Sequence, residues 1–275
     1  MDTSGGGIFD SHLHIIDPRF PLVSNQGYRP EPFTCADYLA RTQVLHMIGG
    51  AVVSGSFQGF DQSYLLDALE SLGPGFVGVT QLPAATSDAE ILRLDAAGVR
   101  ALRFNLRRGG SEGLHQLERF AHRVHALAGW HVELYVEARH LPELYRRLVA
   151  LPAVSIDHLG LSAEGFETLL RLAERGVRVK ATGFGRVTLD VATALQRIAA
   201  VNPAALLFGT DLPSTRAERP FEDQDLKRLV AALAPADPGP ALYRNALAFY
   251  RPRRVDEPPR RNRSASGRDG DADLG

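Results

Sequence analysis

Asp10-Ser11-His12-Leu13-His14 directly follows the first apolar pair of the chain, Ile8-Phe9. In an extended strand, side chains at i and i+2 point to the same face. The spacing therefore predicts that Asp10, His12 and His14 share one small volume. Imidazoles and a carboxylate gathered in that way suit a metal ion, or a cluster of donors and bases that works on a carbonyl.

Other polar groups fall at the ends of later apolar runs: Ser54-Gly55-Ser56, Arg103 and Asn105 with Arg107 and Arg108 beyond, Tyr135 and Glu137, Asp157-His158, Arg186, and Gly209-Thr210-Asp211. Asp211 ends the run Ala205-Leu206-Leu207-Phe208, where a buried charge costs several kcal/mol unless it is paired or bound to metal. His158 follows Val154-Ser155-Ile156-Asp157 and reads as functional, whereas Asp157 alternates away from it and is expected to tie strands together. His115, His122 and His125 lie among Glu118, Arg119 and Arg123 and suggest an exposed helix face. His46 and His131 have no partner in the pattern, while His140, three residues past Glu137, could turn towards the same site.

These groups need a scaffold that collects strand ends. Short β-branched or aromatic runs at 8–14, 50–56, 76–81, 99–106, 131–137, 154–158, 177–182 and 205–211 alternate with helical patterns near 36–47, 62–72, 87–97, 114–128, 142–150, 163–175, 189–200 and 222–233. Thr34 and Ser87 precede helices as caps, and Gly98 and Gly176 follow them as left-handed stops. Eight βα units in about 250 residues match a (β/α)8 TIM barrel, an α/β fold whose active sites lie at the C-terminal strand ends. An open doubly wound sheet is the alternative, but no glycine-rich phosphate fingerprint follows the first strand.

Composition bounds what the barrel can do. The 275 residues are 44% hydrophobic and 23% charged, enough for a full core, and a net charge of −1 gives no global field for nucleic acid or an anionic membrane. The single Cys35 excludes an internal disulfide framework and lacks a motif for a catalytic thiol. Residues 1–7 form an expected flexible leader without secretory features, so a cytoplasmic location is expected, and no apolar run reaches the roughly 20 residues that span a bilayer. The catalytic domain is expected over 8–250, followed by a disordered basic and polar tail over 251–275.

The motifs Phe9-Asp10-Ser-His12-Leu-His14, Gly55-Ser56-Phe57-Gln58-Gly59-Phe60-Asp61, Gly98-Val-Arg100-Ala-Leu-Arg103-Phe-Asn105, Ile156-Asp157-His158-Leu-Gly160, Val179-Lys180-Ala-Thr-Gly183, Phe208-Gly209-Thr-Asp211-Leu-Pro213 and Asn245-Ala-Leu-Ala-Phe-Tyr250 resemble, in order and spacing, the amidohydrolase superfamily. Within it they are similar to the branch of 2-pyrone-4,6-dicarboxylate lactonases and sugar lactonases, over about residues 8–250. The resemblance implies a hydrolase of a small carboxylated lactone in which Asp211 is the general base towards water, and His12, His14 and His158 polarise the carbonyl. It also implies substrate carboxylates held by Arg103, Arg107 or Arg108, and Arg186, with Ser56, Tyr28 and Tyr135 as hydrogen-bond donors.

Many superfamily members bind divalent metal through first-strand histidines, a strand-five residue and the last-strand aspartate. Here Tyr135 or Glu137 stands at the strand-five position in place of histidine, so no obligatory cofactor is expected. A zinc ion, if bound, would use His12, His14 and Asp211. Leu161 stands where the pyrone-dicarboxylate enzymes resemble His-x-Gly-Arg, and Leu212-Pro213 replaces an aromatic residue, so a monocarboxylate or less charged lactone is expected. The alternatives are a metal-dependent decarboxylase of the same superfamily, acting on an aromatic or unsaturated acid, and a barrel that only binds a small carboxylate.

Overall fold

Each short apolar run becomes a strand paired in parallel with the next: β1 (Ile8–Leu13), β2 (Met47–Val53), β3 (Phe76–Thr80), β4 (Val99–Asn105), β5 (His131–Tyr135), β6 (Val154–Ile156), β7 (Arg178–Ala181) and β8 (Leu206–Phe208). The structure, a computed structural model, describes residues 6–253. Beyond β8 the ring is drawn shut by backbone bonds from Asp211 N to His12 O, 2.7 Å, and from His14 N to Leu212 O, 2.8 Å. The result is the expected (β/α)8 barrel.

The helices are α1 (Cys35–Thr42), α2 (Ser63–Leu72), α3 (Asp88–Ala97), α4 (Leu117–Ala128), α5 (Leu141–Val149), α6 (Phe166–Glu174), α7 (Val191–Val201), α8 (Asp223–Leu233) and α9 (Asn245–Tyr250). Thr34 caps α1 in a reciprocal box with Asp37, and Ser87 caps α3, whose end is closed by Gly98 at φ 110°. The first helix stops at Thr42, short of the expected 47, because His46 turns left-handed at φ 47° and Met47 already starts β2. Helix α9, which grows out of a π-helical turn at Pro240–Arg244, was not among the expected helices.

Strand alternation divides the apolar residues into two sets. Outward-facing Leu102, Phe104, Leu134, Ile156 and Val179 pack with the helices in the main core. Inward-facing Phe9, Ala51, Val53, Val77, Val79, Ala101 and Leu207 meet Ala246 and Tyr250 of α9, with the Phe9 and Tyr250 rings stacked at 5.4 Å. Helix α9 thus plugs the floor of the barrel, and above that floor the inner positions turn polar.

The expected leader at 1–5 and tail from 254 lie outside the described residues. Gly7 is buried, and Arg251 donates to the Gly129 carbonyl at 2.5 Å, so the start of the expected tail lies against the barrel. Among the described residues no helix is long and apolar enough to cross a membrane.

Candidate active site

The register of β1 decides which of its polar residues enter the barrel. Asp10 pairs with Gly50 and Leu13 with Val52, so β1 spends one residue more than β2 over this stretch, and such a bulge reverses the alternation of side chains. His12 and His14 face the mouth, but Asp10 does not join them, contrary to the expectation from regular spacing. Its carboxylate accepts from Thr210 N (2.8 Å), Thr210 Oγ1 (2.6 Å), Tyr38 OH of α1 (3.1 Å) and His12 N (3.2 Å). Burial pushes the Asp10 carboxyl up to about 6, and these hydrogen bonds offset only part of that rise.

Two left-handed residues complete the mouth, His158 at φ 51° after β6 and Asp211 at φ 62° after β8, beside β1. Non-glycine residues rarely adopt this region, which costs of order 1–3 kcal/mol and concentrates at functional sites. Asp157 continues the strand by donating its N–H to Leu134 O, so its side chain faces inward. The turn at His158 then sends the imidazole inward as well, which corrects the expected alternation between the two. Asp157 does tie strands, accepting from Arg103 Nη2 at 2.9 Å.

Three imidazole Nε2 atoms converge on Asp211 Oδ1, at 3.9 Å from His12, 3.7 Å from His14 and 3.9 Å from His158. Asp211 is fully buried, and among the described residues Oδ1 has no hydrogen-bond partner. Its other oxygen accepts from Arg186 Nε at 2.8 Å and from Arg186 Nη2. Burial alone would raise this carboxyl, but Arg186 and the imidazoles hold it well below the usual carboxylate range. Burial lowers His158 to about 3, with the nearby Asp211 opposing that shift. His14 Nδ1 donates to the Val53 carbonyl at 2.7 Å, so a neutral ring presents the Nε2 lone pair to the mouth.

A small cleft opens over this cluster, lined by His14, Ser56, Arg103, Arg108, Tyr135, His158, Arg186 and Asp211 together with Asn105, Thr215 and Arg216. His12 lies directly beneath it, with ring centroids 5.0 Å from His14 and 4.8 Å from His158. Buried Nε and Nη1 of Arg103 have no partner among the described residues, and its guanidinium sits 5.7 Å from the Tyr135 ring. Arg107 is absent from the lining because it turns outward to Glu137, and Tyr28 lies behind Arg216, which stacks over its ring at 4.3 Å. His140 is exposed at the start of α5 and does not reach the mouth. Leu161 is buried with φ 69° and lies outside the lining. Cys35 is half-buried, and burial pushes its thiol up to about 11, far from a nucleophile's range.

Sequence reading missed a buried ionic cluster beneath the imidazoles. Lys180 Nζ lies 2.5 Å from Glu133 Oε2, 3.7 Å from Asp157 Oδ1 and 3.2 Å from His12 Nδ1. Glu133 Oε1 accepts from Tyr250 OH at 2.6 Å and contacts His131 Nε2 at 3.2 Å, giving His131 a partner that the pattern did not reveal. The available signal was a charge in the middle of each apolar run, at Lys180 and Glu133. Thr215 and Arg216 of the lining were also missed, having only their position shortly after Asp211 to mark them.

Ligand atoms of His12, His158 and Asp211 lie within 4.8 Å of one another, as do those of His12, Glu133 and Asp157, which suggests a cation at first sight. Protons argue otherwise. A neutral imidazole that binds metal through Nε2 carries its proton on Nδ1 and normally donates it to a carboxylate or carbonyl. His12 Nδ1 instead faces the Lys180 amine, and an ammonium has donors only. Arg103 and Arg186 add positive charge around the same atoms. The donor set fits a divalent ion poorly.

The chain is similar to known proteins along most of its length. The chain is 30% identical over 249 residues to the 2-pyrone-4,6-dicarboxylate hydrolase of Comamonas testosteroni, covering 80% of this chain and 81% of the relative. It is also 30% identical over 255 residues to the 4-sulfomuconolactone hydrolase of Rhizobium radiobacter, covering 83% and 84%. A Pseudomonas putida structure assigned as a 2-pyrone-4,6-dicarboxylic acid hydrolase superposes with a TM-score of 0.73 at 26% identity, covering 89% of this chain and 97% of the other. The amidohydrolase family pattern matches residues 9–251, almost the whole described chain, and the protein belongs to that family.

Proposed function

We propose that the protein hydrolyses the ring ester of a small lactone bearing a carboxylate, with Asp211 as the general base. The observation that carries this reading is the unpartnered Asp211 Oδ1, buried at the barrel mouth and faced by three imidazole nitrogens at 3.7–3.9 Å. A water seated there donates one proton to Asp211 and can donate another to the His14 Nε2 lone pair. Its oxygen adds to the lactone carbonyl carbon, and the imidazoles of His12 and His158 stabilise the developing oxyanion. Collapse breaks the ring C–O bond, and the proton held by Asp211 passes to the departing oxygen.

Guanidinium groups supply the substrate's counter-charge. Arg103 has unpartnered buried donors, and Arg108 and Arg186 line the same cleft, an arrangement suited to bidentate capture of a carboxylate. Ser56 and Tyr135 offer hydroxyls from the cleft wall, while Tyr28 and Arg107 stand behind it. The names of the two relatives, both lactone hydrolases, support lactone opening over decarboxylation. A poor fit for metal supports it too.

The test is a pH-controlled screen of pyrone, muconate and sugar lactones, each with and without a carboxylate, using purified protein. Turnover of at least one carboxylated lactone, lost in Asp211→Asn, is expected. Equal turnover in wild type and variant overturns the assignment of the base.

A further inference from the structure

We infer that Lys180 is a positioning residue that fixes the ring proton of His12 on Nε2, making this imidazole a hydrogen-bond donor to the reacting carbonyl and unsuited to hold a metal. The inference deepens the lactonase reading and rests on it for the identity of the carbonyl.

Lys180 sits on β7 with its amine fully buried, and its direction is set from below. Tyr250, on the plugging helix α9, donates to Glu133 Oε1 at 2.6 Å, and Glu133 Oε2 meets Lys180 Nζ at 2.5 Å. Burial keeps the Tyr250 hydroxyl protonated far above its ordinary range, so it remains a donor. Burial alone would raise Glu133, but the adjacent Lys180 holds it below the usual carboxylate range and so anionic. With Glu133 on one side, Lys180 turns another N–H to His12 Nδ1 at 3.2 Å, which can then act only as acceptor. Burial, reinforced by Lys180, keeps the His12 ring neutral, leaving it one proton to place. That proton is on Nε2, an atom that has no partner among the described residues and faces Asp211 Oδ1 at 3.9 Å. Among the described residues one other acceptor competes for Nδ1: Asp157 Oδ1, 3.5 Å away, buried and without a hydrogen-bond partner there. If the amine is removed, the ring proton moves to Nδ1 and points at Asp157.

His12 therefore differs from His14, whose Nδ1 donates to a carbonyl and whose Nε2 is the acceptor. The two rings, 5.0 Å apart, divide the work: one donates to the carbonyl oxygen and the other receives from water. A chain of contacts runs from the barrel floor to the mouth through Tyr250, Glu133, Lys180 and His12.

Nitrogen-15 NMR of histidine-labelled full-length protein tests this directly, with the His12 signals identified by their loss in His12→Asn. Wild type is expected to carry the His12 proton on Nε2. Because Lys180→Met leaves Glu133 without its cation, the double variant Lys180→Met/Glu133→Gln is measured beside it, and the proton is expected on Nδ1 in whichever variant folds. On a lactone that wild type turns over, kcat is expected to fall about 10- to 100-fold, the range seen when the partner that orients a working imidazole is lost, with KM little changed. Added cobalt(II) is expected to bind the variant and give its visible absorption, and to bind wild type more weakly. A wild-type ring protonated on Nδ1, an unchanged tautomer in the variants, or equal cobalt binding overturns the inference. Because the tautomer is read without turnover, a wild type that opens no lactone overturns the lactonase reading alone.

Discussion

Two aspartates at the seam between β1 and β8 are both fully buried, one on the helix side of the wall and one on the inner side. Asp10, outside, accepts four hydrogen bonds from Thr210, Tyr38 and the His12 backbone, which use up its oxygens. Asp211, inside, has one oxygen held by Arg186 and the other without a partner among the described residues. Their acidities diverge accordingly: burial carries Asp10 up to about 6, while Arg186 and the imidazoles overcome burial and hold Asp211 far down. A buried carboxylate whose hydrogen bonds are complete closes a barrel. One left incomplete at the mouth is free to act on something that enters.

Asp211→Asn is expected to lower kcat by about 10³-fold, within the range for loss of a general base, while circular dichroism stays native. Asp10→Asn is expected to act the other way, costing about 1–3 kcal/mol in denaturant unfolding with kcat largely retained in the folded fraction. If Asp10→Asn abolishes turnover at unchanged stability, the division between a closing and a reacting carboxylate is wrong.

Arg186 sharpens the same contrast through pH. Because the Asp211 carboxyl lies below its ordinary range, it stays ionised as pH falls, and the acid limb of kcat/KM is expected below the usual carboxylate range. Arg186→Gln removes the main charge opposing burial, so the limb is expected to move to higher pH, whatever happens to KM. An unmoved limb would mean that another group sets it.

What each residue's position encodes decides how much of the barrel and its mouth can be read from the sequence. The eight strands could be read because apolar runs alternate with capped helical patterns, and the polar residues at their ends marked the mouth. Asp10 was misplaced because one extra residue in β1 reverses parity, and nothing in Asp10-Ser-His12-Leu-His14 signals a bulge. The direction of Asp157 was misread for a similar reason, since a left-handed backbone at the non-glycine His158 breaks the alternation and lets both side chains face inward. Arg107 and Arg108 could not be told apart until Glu137 was seen to draw Arg107 outward. Lys180 and Glu133 meet only after β5 and β7 have closed with the rest of the ring, so neither residue carries its partner in its own local sequence.

The smallest effect probes the outer side of the seam. Tyr38 donates to Asp10 Oδ2 at 3.1 Å from α1, and burial and the adjacent Asp10 keep its hydroxyl protonated far above its ordinary range. Tyr38→Phe keeps the buried ring and removes one donor of four, so a loss of about 0.5–1.5 kcal/mol is expected. The Asp10 carboxyl, having lost a bond to its charged form, should titrate higher still, as followed by carbon-13 NMR of labelled aspartate. The pH profile of turnover should not move, because Asp211 receives nothing from Tyr38. A shift in that profile would mean that the two faces of the seam are electrically coupled, and that closing the barrel and activating water share one carboxylate network.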